Sequence, residues 1–337
     1  MRELLLIHFA ALFAGLTLDW IIGDPHSLPH PIRAIGSLIA ALEARLLGRE
    51  RAEDKPRDPV RERRRGTLLW ITVVFVSVAV TAALVVLAWI IHPALFFVTE
   101  TILDCYMLAA GSLCRESLLV TDKLEGEGVP AARRALSMIV GRDTADLPEP
   151  AIVLAAAETV AENTCDGVIA PLFYAALGGP VLGYAYKAVN TMDSMLGYRN
   201  EKYEHFGRTA ARMDDVFNWL PARISALFMI AAAFLAGQFS KSFDGKRAFR
   251  IWKRDRRNHA SPNSAQTESV CAGALGLEMG GTHLYGGIPV EKPTIGDRMR
   301  EAERADVLRA NTLMAVTEAL LALFLALIAL LLVLFAG

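Results

Sequence analysis

Between Glu158 and Arg223 the chain sets carboxylates, amides and guanidinium groups at both ends of an apolar run, residues 168–189. Glu158, Glu162 and Asp166 precede the run; Asn190, Asp193, Arg199, Tyr203, Arg212, Asp214, Asp215 and Asn218 follow it. Ionisable groups at the edge of an apolar run are expensive to bury unless they are paired or bind something. Carboxylates from several segments suit a hard cation such as Mg²⁺, which keeps waters and substrate phosphates in its shell. Guanidinium groups fork onto phosphates and carboxylates, and Arg33, Arg199, Arg212 and Arg223 all lie in motif-like stretches beside such acids. His30 and His259 sit in the turns PHP and HASPN. An imidazole there either moves a proton, contacts a phosphate or braces the turn. Any one acid is as readily a helix cap or an ion-pair partner. The group as a whole points to a site that handles phosphate and a divalent cation.

These residues need elements to position them. Glu158 and Glu162 fall one turn apart on a helix over 150–163, and Asp166 extends that face if the helix continues. The chain has 337 residues, 53% of them hydrophobic and 21% charged. That mixture is too apolar for a soluble domain and too charged for spans alone, so apolar spans joined by charged loops are expected. The expected fold is all-α and polytopic, a single membrane domain with about four to six crossings. Candidate spans lie near 4–22, 67–91, 94–113, 168–189, 218–237 and 313–335. Gly178-Gly179-Pro180 interrupts the fourth, which reads as a broken span or two half-helices. Residues 37–47 read as a short amphipathic helix, and 238–312 as a large hydrophilic loop whose glycines pack turns or helices. Basic clusters at 49–65 and 241–257 place both loops on the cytoplasmic side.

Several classes are excluded. The net charge is −1, and the basic loop has no interleaved aromatics, so nucleic acid is not a partner. The four cysteines form no CxxC pattern, and reduced thiols are expected. There is no Walker A sequence, no GxSxG and no HExxH.

The stretches GDPHSLPHPIRAIG, AENTCDGVIAPLFYAALGG, YKAVNTMDSMLGYRNEKYEHFG, ARMDDVFNWLPARISAL and RDRRNHASPNSAQTESVCAGALG together closely resemble the CobD/CbiB family of adenosylcobinamide-phosphate synthases, in the same order over nearly the whole chain. Cys165 departs from the family's small hydroxyl residue, and Gln266-Thr267 from its glycine-aromatic pair. The resemblance implies ATP-dependent amide formation between adenosylcobyric acid and an amino-alcohol phosphate, typically (R)-1-amino-2-propanol O-phosphate. It implies ATP and Mg²⁺ as cofactors, the lipid bilayer as surroundings, and an inner-membrane, multi-pass enzyme whose site faces the cytoplasm. The expected catalytic set is Glu162, Asp166, Asp193 and His259, with Glu162, Asp193 and His259 as alternative bases. The expected metal set is Asp166, Asp193, Asp214 and Asp215. Substrate contacts are expected from Asp24, His30, Arg33, Asn163, Asn190, Arg199, Tyr203, Arg212, Asn218, Arg223, Ser261 and Asn263. A non-catalytic sensor resembling the AmpE type, or a corrinoid transporter, is the alternative on this scaffold. A transporter predicts repeated halves, and no repeat is visible.

Overall fold

A computed structural model describes residues 2–24, 29–47, 58–198 and 200–335. In chain order the helices are α1 (Arg2–Ile22), α2 (Pro31–Leu46), α3 (Pro59–Ile91), α4 (Pro93–Met107), α5 (Ala110–Gly126), α6 (Val129–Leu136) and α7 (Glu149–Asn163). A π-helical turn, Thr164–Ile169, joins α7 to α8 (Ala170–Leu196). Then come α9 (Arg208–Phe217), α10 (Trp219–Phe239), α11 (Gly245–Asp255), α12 (Ser264–Leu275), strands β1 (Glu278–Tyr285) and β2 (Ile288–Gly296), and α13 (Ala305–Phe335). The protein is all-α and polytopic, with six helical stretches long and apolar enough to cross a membrane. On α3, side chains such as Ile71, Phe75, Leu84 and Ile90 are exposed, as are Leu323, Leu327 and Leu331 on α13. An apolar surface of that kind belongs against lipid.

By compactness the chain divides into one unit of Met1–Leu108, Pro171–Asn218 and Ala326–Gly337, and a second of Ala109–Ala170 and Trp219–Leu325. In the first unit α1 packs along α4, with His8 Nδ1 2.6 Å from Glu100 Oε1. That pairing lets two polar side chains sit inside apolar helices. The break at Gly178-Gly179 lies in α8, where Gly179 has φ 62° and a Cβ there would stand 3.0 Å from Glu100 Oε1. Only glycine meets both demands.

The second unit has a core of Val120 and Leu124 (α5), Ala132 and Leu136 (α6), Ile152, Val153 and Ala156 (α7) and Val307 (α13). Helix α12 is buried along its whole length after Ser264.

The structure departs from the sequence reading in several places. The span expected near 94–113 breaks at Leu108-Ala109 into α4 and α5. The span expected near 168–189 is the middle of a longer helical path, Glu149–Leu196. Residues 238–312 are not a loop: they hold α11, α12 and an antiparallel hairpin. The glycine-rich stretch makes that hairpin. Gly286 and Gly287 occupy its two-residue turn with φ 60° and 77°, the backbone a tight hairpin requires. The last helix, α13, begins at Ala305, ahead of the expected span start at 313. The amphipathic helix near 37–47 is present as α2 and starts earlier, at Pro31, where His30 caps it. All four cysteines are unbridged.

Candidate functional site

In the first unit, α9 presents Arg208, Ala211, Arg212 and Asp215 at helical i, i+3, i+4, i+7 spacing to a cavity of about 350 Å³. Arg63 of α3, Tyr198, Tyr203, Glu204 and His205 complete its wall. Helix α9 is fixed to α3 by a hydroxyl contact of 2.8 Å between Thr67 and Thr209. The crowding of Arg212 and Arg63 depresses the Arg208 pKa, and such crowding is relieved by an anion. Tyr203 donates its hydroxyl hydrogen bond to Glu43 Oε1 at 2.8 Å, and Lys202 reaches the same carboxylate at 2.6 Å. Arg199 lies outside the described residues.

Behind this cavity a polar chain fixes Asp214. Asn190 donates to Asp214 Oδ1 at 3.3 Å and Asn218 to Oδ2 at 3.0 Å, while Tyr186 donates to Asn218 Oδ1 at 3.0 Å. Asp214 is buried, whereas its neighbour Asp215 faces the cavity. Asp193 is half-buried near the end of α8, one turn after Asn190. His30 Nδ1 accepts from Ile32 N at 3.2 Å, capping α2, and its Nε2 lies 2.9 Å from Asp24 Oδ1. Its ring meets Tyr106 edge-on. The histidine is thus a brace for the PHPIR turn as well as a polar contact, and Arg33 stands exposed one turn along.

The second unit gathers a different set. Glu158 and Glu162, one turn apart on α7, face α12 and the hairpin. Arg142 Nη2 holds Glu158 Oε2 at 2.7 Å, and Gly280 N donates to Oε1 at 3.1 Å. Asp143 accepts from Gly286 N at 3.1 Å and Gly287 N at 2.7 Å, tying the hairpin turn to the same segment. The hairpin register sets Lys292 opposite Gly281 and His283 opposite Val290. Arg142 Nη1 donates to His283 Nδ1 at 2.8 Å. Burial first, and the Arg142 charge second, pull the His283 pKa down to about 4, so its ring is a neutral acceptor. Lys292 keeps its charge: burial works against it, but Tyr285, Glu162 and Glu158 hold its pKa above the ordinary lysine range. Glu268 of α12 completes the set. Burial first, then the charges of Glu162 and Glu158, push its carboxyl well above the ordinary range. Ser264 lies within hydrogen-bonding reach of Glu162.

Asp166 does not simply continue the Glu158–Glu162 face. It lies in the π turn, where hydrogen bonds close over five residues instead of four, so the stripe shifts. Such turns recur at functional positions. Asn163 turns its amide back onto Thr159 O at 3.0 Å. Arg223 lies over the Trp219 ring and donates to Asn263 Oδ1 at 3.0 Å. His259 Nδ1 accepts from Ser261 N at 3.0 Å, and Ser261 Oγ accepts from Asn263 N at 3.3 Å, so HASPN is a self-braced turn.

The structure therefore brings Tyr203, Arg212 and Asp215 to one cavity, Asn190, Asp214 and Asn218 to one network, and Arg223 and Asn263 to one contact. Among the described residues no three acidic, histidine or cysteine side chains converge as a ready metal-ligand set. Asp166 falls in the second unit, and Asp193, Asp214 and Asp215 in the first. Sequence reasoning missed Arg63, Arg208, Arg142, Lys292, His283 and Glu268. For Glu268 a signal existed: it is the one charged residue in the helix SAQTESVCAGAL.

Residues 12–314 match the family described as CobD/Cbib protein. The chain is 48% identical over 291 residues to the cobalamin biosynthesis protein CobD of Geobacter metallireducens, covering 86% of this chain and 87% of the relative. It is 44% identical over 304 residues to CobD of Clostridium perfringens, covering 90% and 92%. It is 46% identical over 310 residues to the cobalamin biosynthesis protein CbiB of Salmonella typhi, covering 92% and 94%. No solved structure matches the chain. With five motifs in family order and a match over most of its length, the chain belongs to the CobD/CbiB family.

Proposed function

We propose that the protein acts in cobalamin biosynthesis by joining the propionate carboxylate of adenosylcobyric acid to an amino-alcohol phosphate, such as (R)-1-amino-2-propanol O-phosphate, with ATP as the driving reactant. The names of its relatives support the pathway. The observation that carries the chemistry is the cavity where Arg63, Arg208 and Arg212 surround space for a phosphate beside Asp215. Guanidinium groups would fix phosphate oxygens by charge-assisted forks.

In this reading the substrate carboxylate takes the terminal phosphoryl group of ATP and ADP leaves. The amine then attacks the acyl carbon, phosphate departs, and the nitrogen gives up a proton. Amide product, ADP and phosphate account for every atom. The acyl phosphate must be kept from water. Asp215 fits a magnesium ion in the usual manner, one carboxylate beside substrate phosphates and waters. Bound there, the ion would screen phosphate charge. Asp214, with each carboxylate oxygen taken by an amide, orients Asn190 and Asn218. In this reading the site faces the cytoplasm at the inner membrane, which the basic clusters at 49–65 and 241–257 support.

The test is amide formation by the purified, detergent-solubilised chain. The mixture holds adenosylcobyric acid, aminopropanol phosphate, ATP and Mg²⁺, with Asp215→Ala in parallel. The expected result is product with ADP from the wild type and neither from the variant. A wild type that binds the corrinoid and forms no product would favour the transporter or sensor reading.

A further inference from the structure

Within the second unit, the cations of α11 fall into two groups. Gly245, Ala248, Ile251 and Asp255 form the buried side of the helix. Two of its cations are engaged within the protein. Arg247 lies 3.9 Å from Asp244 Oδ2 and donates to Gly273 O and Ala274 O. Arg254 forks onto Asp255 at 2.6 and 2.8 Å and reaches Asp297 at 2.7 Å. The outer side carries Lys246, Phe249, Arg250 and Lys253, all exposed, at i, i+3, i+4 and i+7 spacing, a single stripe of an α-helix. Lys241 before the helix and Arg257 after it are exposed as well. Among the described residues, Lys241, Lys246, Arg250, Lys253 and Arg257 have no ion pair and no side-chain hydrogen bond.

The neighbouring span fixes the height of this stripe. Helix α10 is long and apolar enough to cross a membrane and ends at Phe239, which is 85% exposed. Helix α11 packs back against it: a Cβ on Gly245 would stand 2.5 Å from Phe234 Cγ and 2.8 Å from Phe234 Cα. Phe234 precedes the end of α10 by five residues, roughly 8 Å along the axis. The start of α11 is therefore level with the last turns of a span, and its stripe opens at the membrane boundary. There Lys and Arg stems lie along apolar surface and carry their charges outward to phosphate oxygens. From Lys246 to Lys253 the stripe is roughly 10 Å long, more than one small anion can neutralise. A sheet of anionic headgroups meets every charge on it, and the exposed Phe249 in its middle gains by entering the acyl boundary.

We propose that the outer stripe of α11 is a binding surface for anionic phospholipid headgroups, with Lys246, Arg250 and Lys253 on the phosphates and Phe249 inserted between them. Lys241 and Arg257 extend the surface at its two ends. The inward side of the helix supplies the rigidity: Arg247 and Arg254 tie it to α12 and β2, and Trp252 donates its indole N–H to Gln266 Oε1 at 2.9 Å. The lipid thus meets a preformed row of charges rather than a mobile loop.

The experiment titrates the full chain, in a neutral detergent, with dioctanoylphosphatidylglycerol, dioctanoylphosphatidylcholine or inorganic phosphate and follows thermal melts. Phosphatidylglycerol should raise the melting midpoint saturably, while phosphatidylcholine and inorganic phosphate should leave it in place. Each cation beside an anionic surface is worth roughly fivefold in affinity, so Lys246→Gln/Arg250→Gln/Lys253→Gln should need about 100-fold more phosphatidylglycerol for the same shift. Added salt should weaken the wild-type response in the same direction. Arg298→Gln/Arg304→Gln removes two exposed cations that already have acid partners, and should respond like the wild type. Equal shifts with the two lipids, an unchanged response in the triple variant, or a response lost equally in the double variant would each overturn the proposal. Stabilisation by inorganic phosphate alone would make this a small-anion site, and stabilisation by duplex DNA or polyglutamate without phosphatidylglycerol would give it a macromolecular partner; either result rejects the lipid. A measurement on the wild type alone covers a triple variant that fails to fold. Amide exchange along α11 should be slower in nanodiscs containing phosphatidylglycerol than in phosphatidylcholine nanodiscs, and equal exchange in the two would contradict the assignment.

Discussion

Replacing Arg142 by Met removes a cation that holds two side chains at once. Its Nη2 pairs with Glu158 at 2.7 Å, its Nη1 donates to His283 at 2.8 Å, and both partners are largely shielded from solvent. The variant leaves Glu158 with the Gly280 amide, at 3.1 Å, as its hydrogen-bond donor from the hairpin, and leaves Lys292 as the cation facing Glu158, Glu162 and Glu268. Breaking a buried pair by removing one partner costs about 3–5 kcal/mol. At ~2 °C per kcal/mol for a chain of this size, the melting midpoint should drop by roughly 6–10 °C. Glu158→Gln alone strands the guanidinium and should also destabilise. The double variant Arg142→Met/Glu158→Gln removes both charges, so its loss should be less than the sum by about 2–3 kcal/mol. Thermal melts of the four proteins in one detergent give the coupling energy. Hydrogen exchange along β1 and β2 should accelerate in Arg142→Met, because the hairpin is tethered through Glu158 and Asp143. A coupling below ~0.5 kcal/mol, the level of independent sites, would refute the view that this ion pair anchors the cluster.

Other consequences follow from the same geometry. Arg212→Ala should raise the KM for the phosphate-bearing substrate by roughly 10- to 100-fold, the worth of a charge-assisted hydrogen bond, with kcat less affected; steady-state titrations check this. Gly179→Val forces a branched side chain onto a backbone with φ 62° and into Glu100, so the melt should fall by about 1–3 kcal/mol. Asp255 supplies a pH test. Burial opposes its charge, yet the Arg254 fork at 2.6 and 2.8 Å and the Gly296 amide hold its pKa below the ordinary 3.8. A depressed carboxyl stabilises the fold above its unfolded pKa and loses that contribution as pH falls through the folded value. The wild-type melt should therefore decline on acidification below about pH 4, and Asp255→Asn should be less stable at pH 7 and flatter in acid.

The spans were readable because lipid demands long apolar helices, and α1, α3, α10 and α13 supply them with little interruption. The break at Gly178-Gly179-Pro180 was readable for a similar reason: no other local sequence in that run abandons helical geometry. The division of the stretch near 94–113 was not, since Leu108-Ala109 carries no breaker residue. Its end is set by packing, with Ala109 N donating to Gly167 O at 3.1 Å. The hairpin was hidden because β2 is largely exposed, β1 is mostly half-buried, and neither strand shows sustained apolar alternation. What holds it is distant in sequence: Asp143 at the turn and Glu158 at Gly280.

The site shows the same split. Tyr203, Arg212 and Asp215 declared themselves as polar residues beside a span, and they do share a cavity. Arg63 looked like one more charge in a solvated basic loop, although it is helical and lines that cavity. Arg142 and Lys292 gained meaning only from long-range contacts. Asp166 was expected on the face of Glu158 and Glu162 by four-residue spacing, and the π turn changed that spacing.

Under the proposed function this chain activates a corrinoid carboxylate and captures it with an amine. The most direct measurement uses adenosylcobyric acid labelled with ¹⁸O in its free carboxylate, incubated with the purified wild-type chain, ATP, Mg²⁺ and 1-amino-2-propanol O-phosphate. One labelled oxygen should appear in the released phosphate for each amide formed. Amide without label in phosphate would contradict activation by phosphoryl transfer, and bound corrinoid with neither amide nor labelled phosphate would contradict the ligase itself.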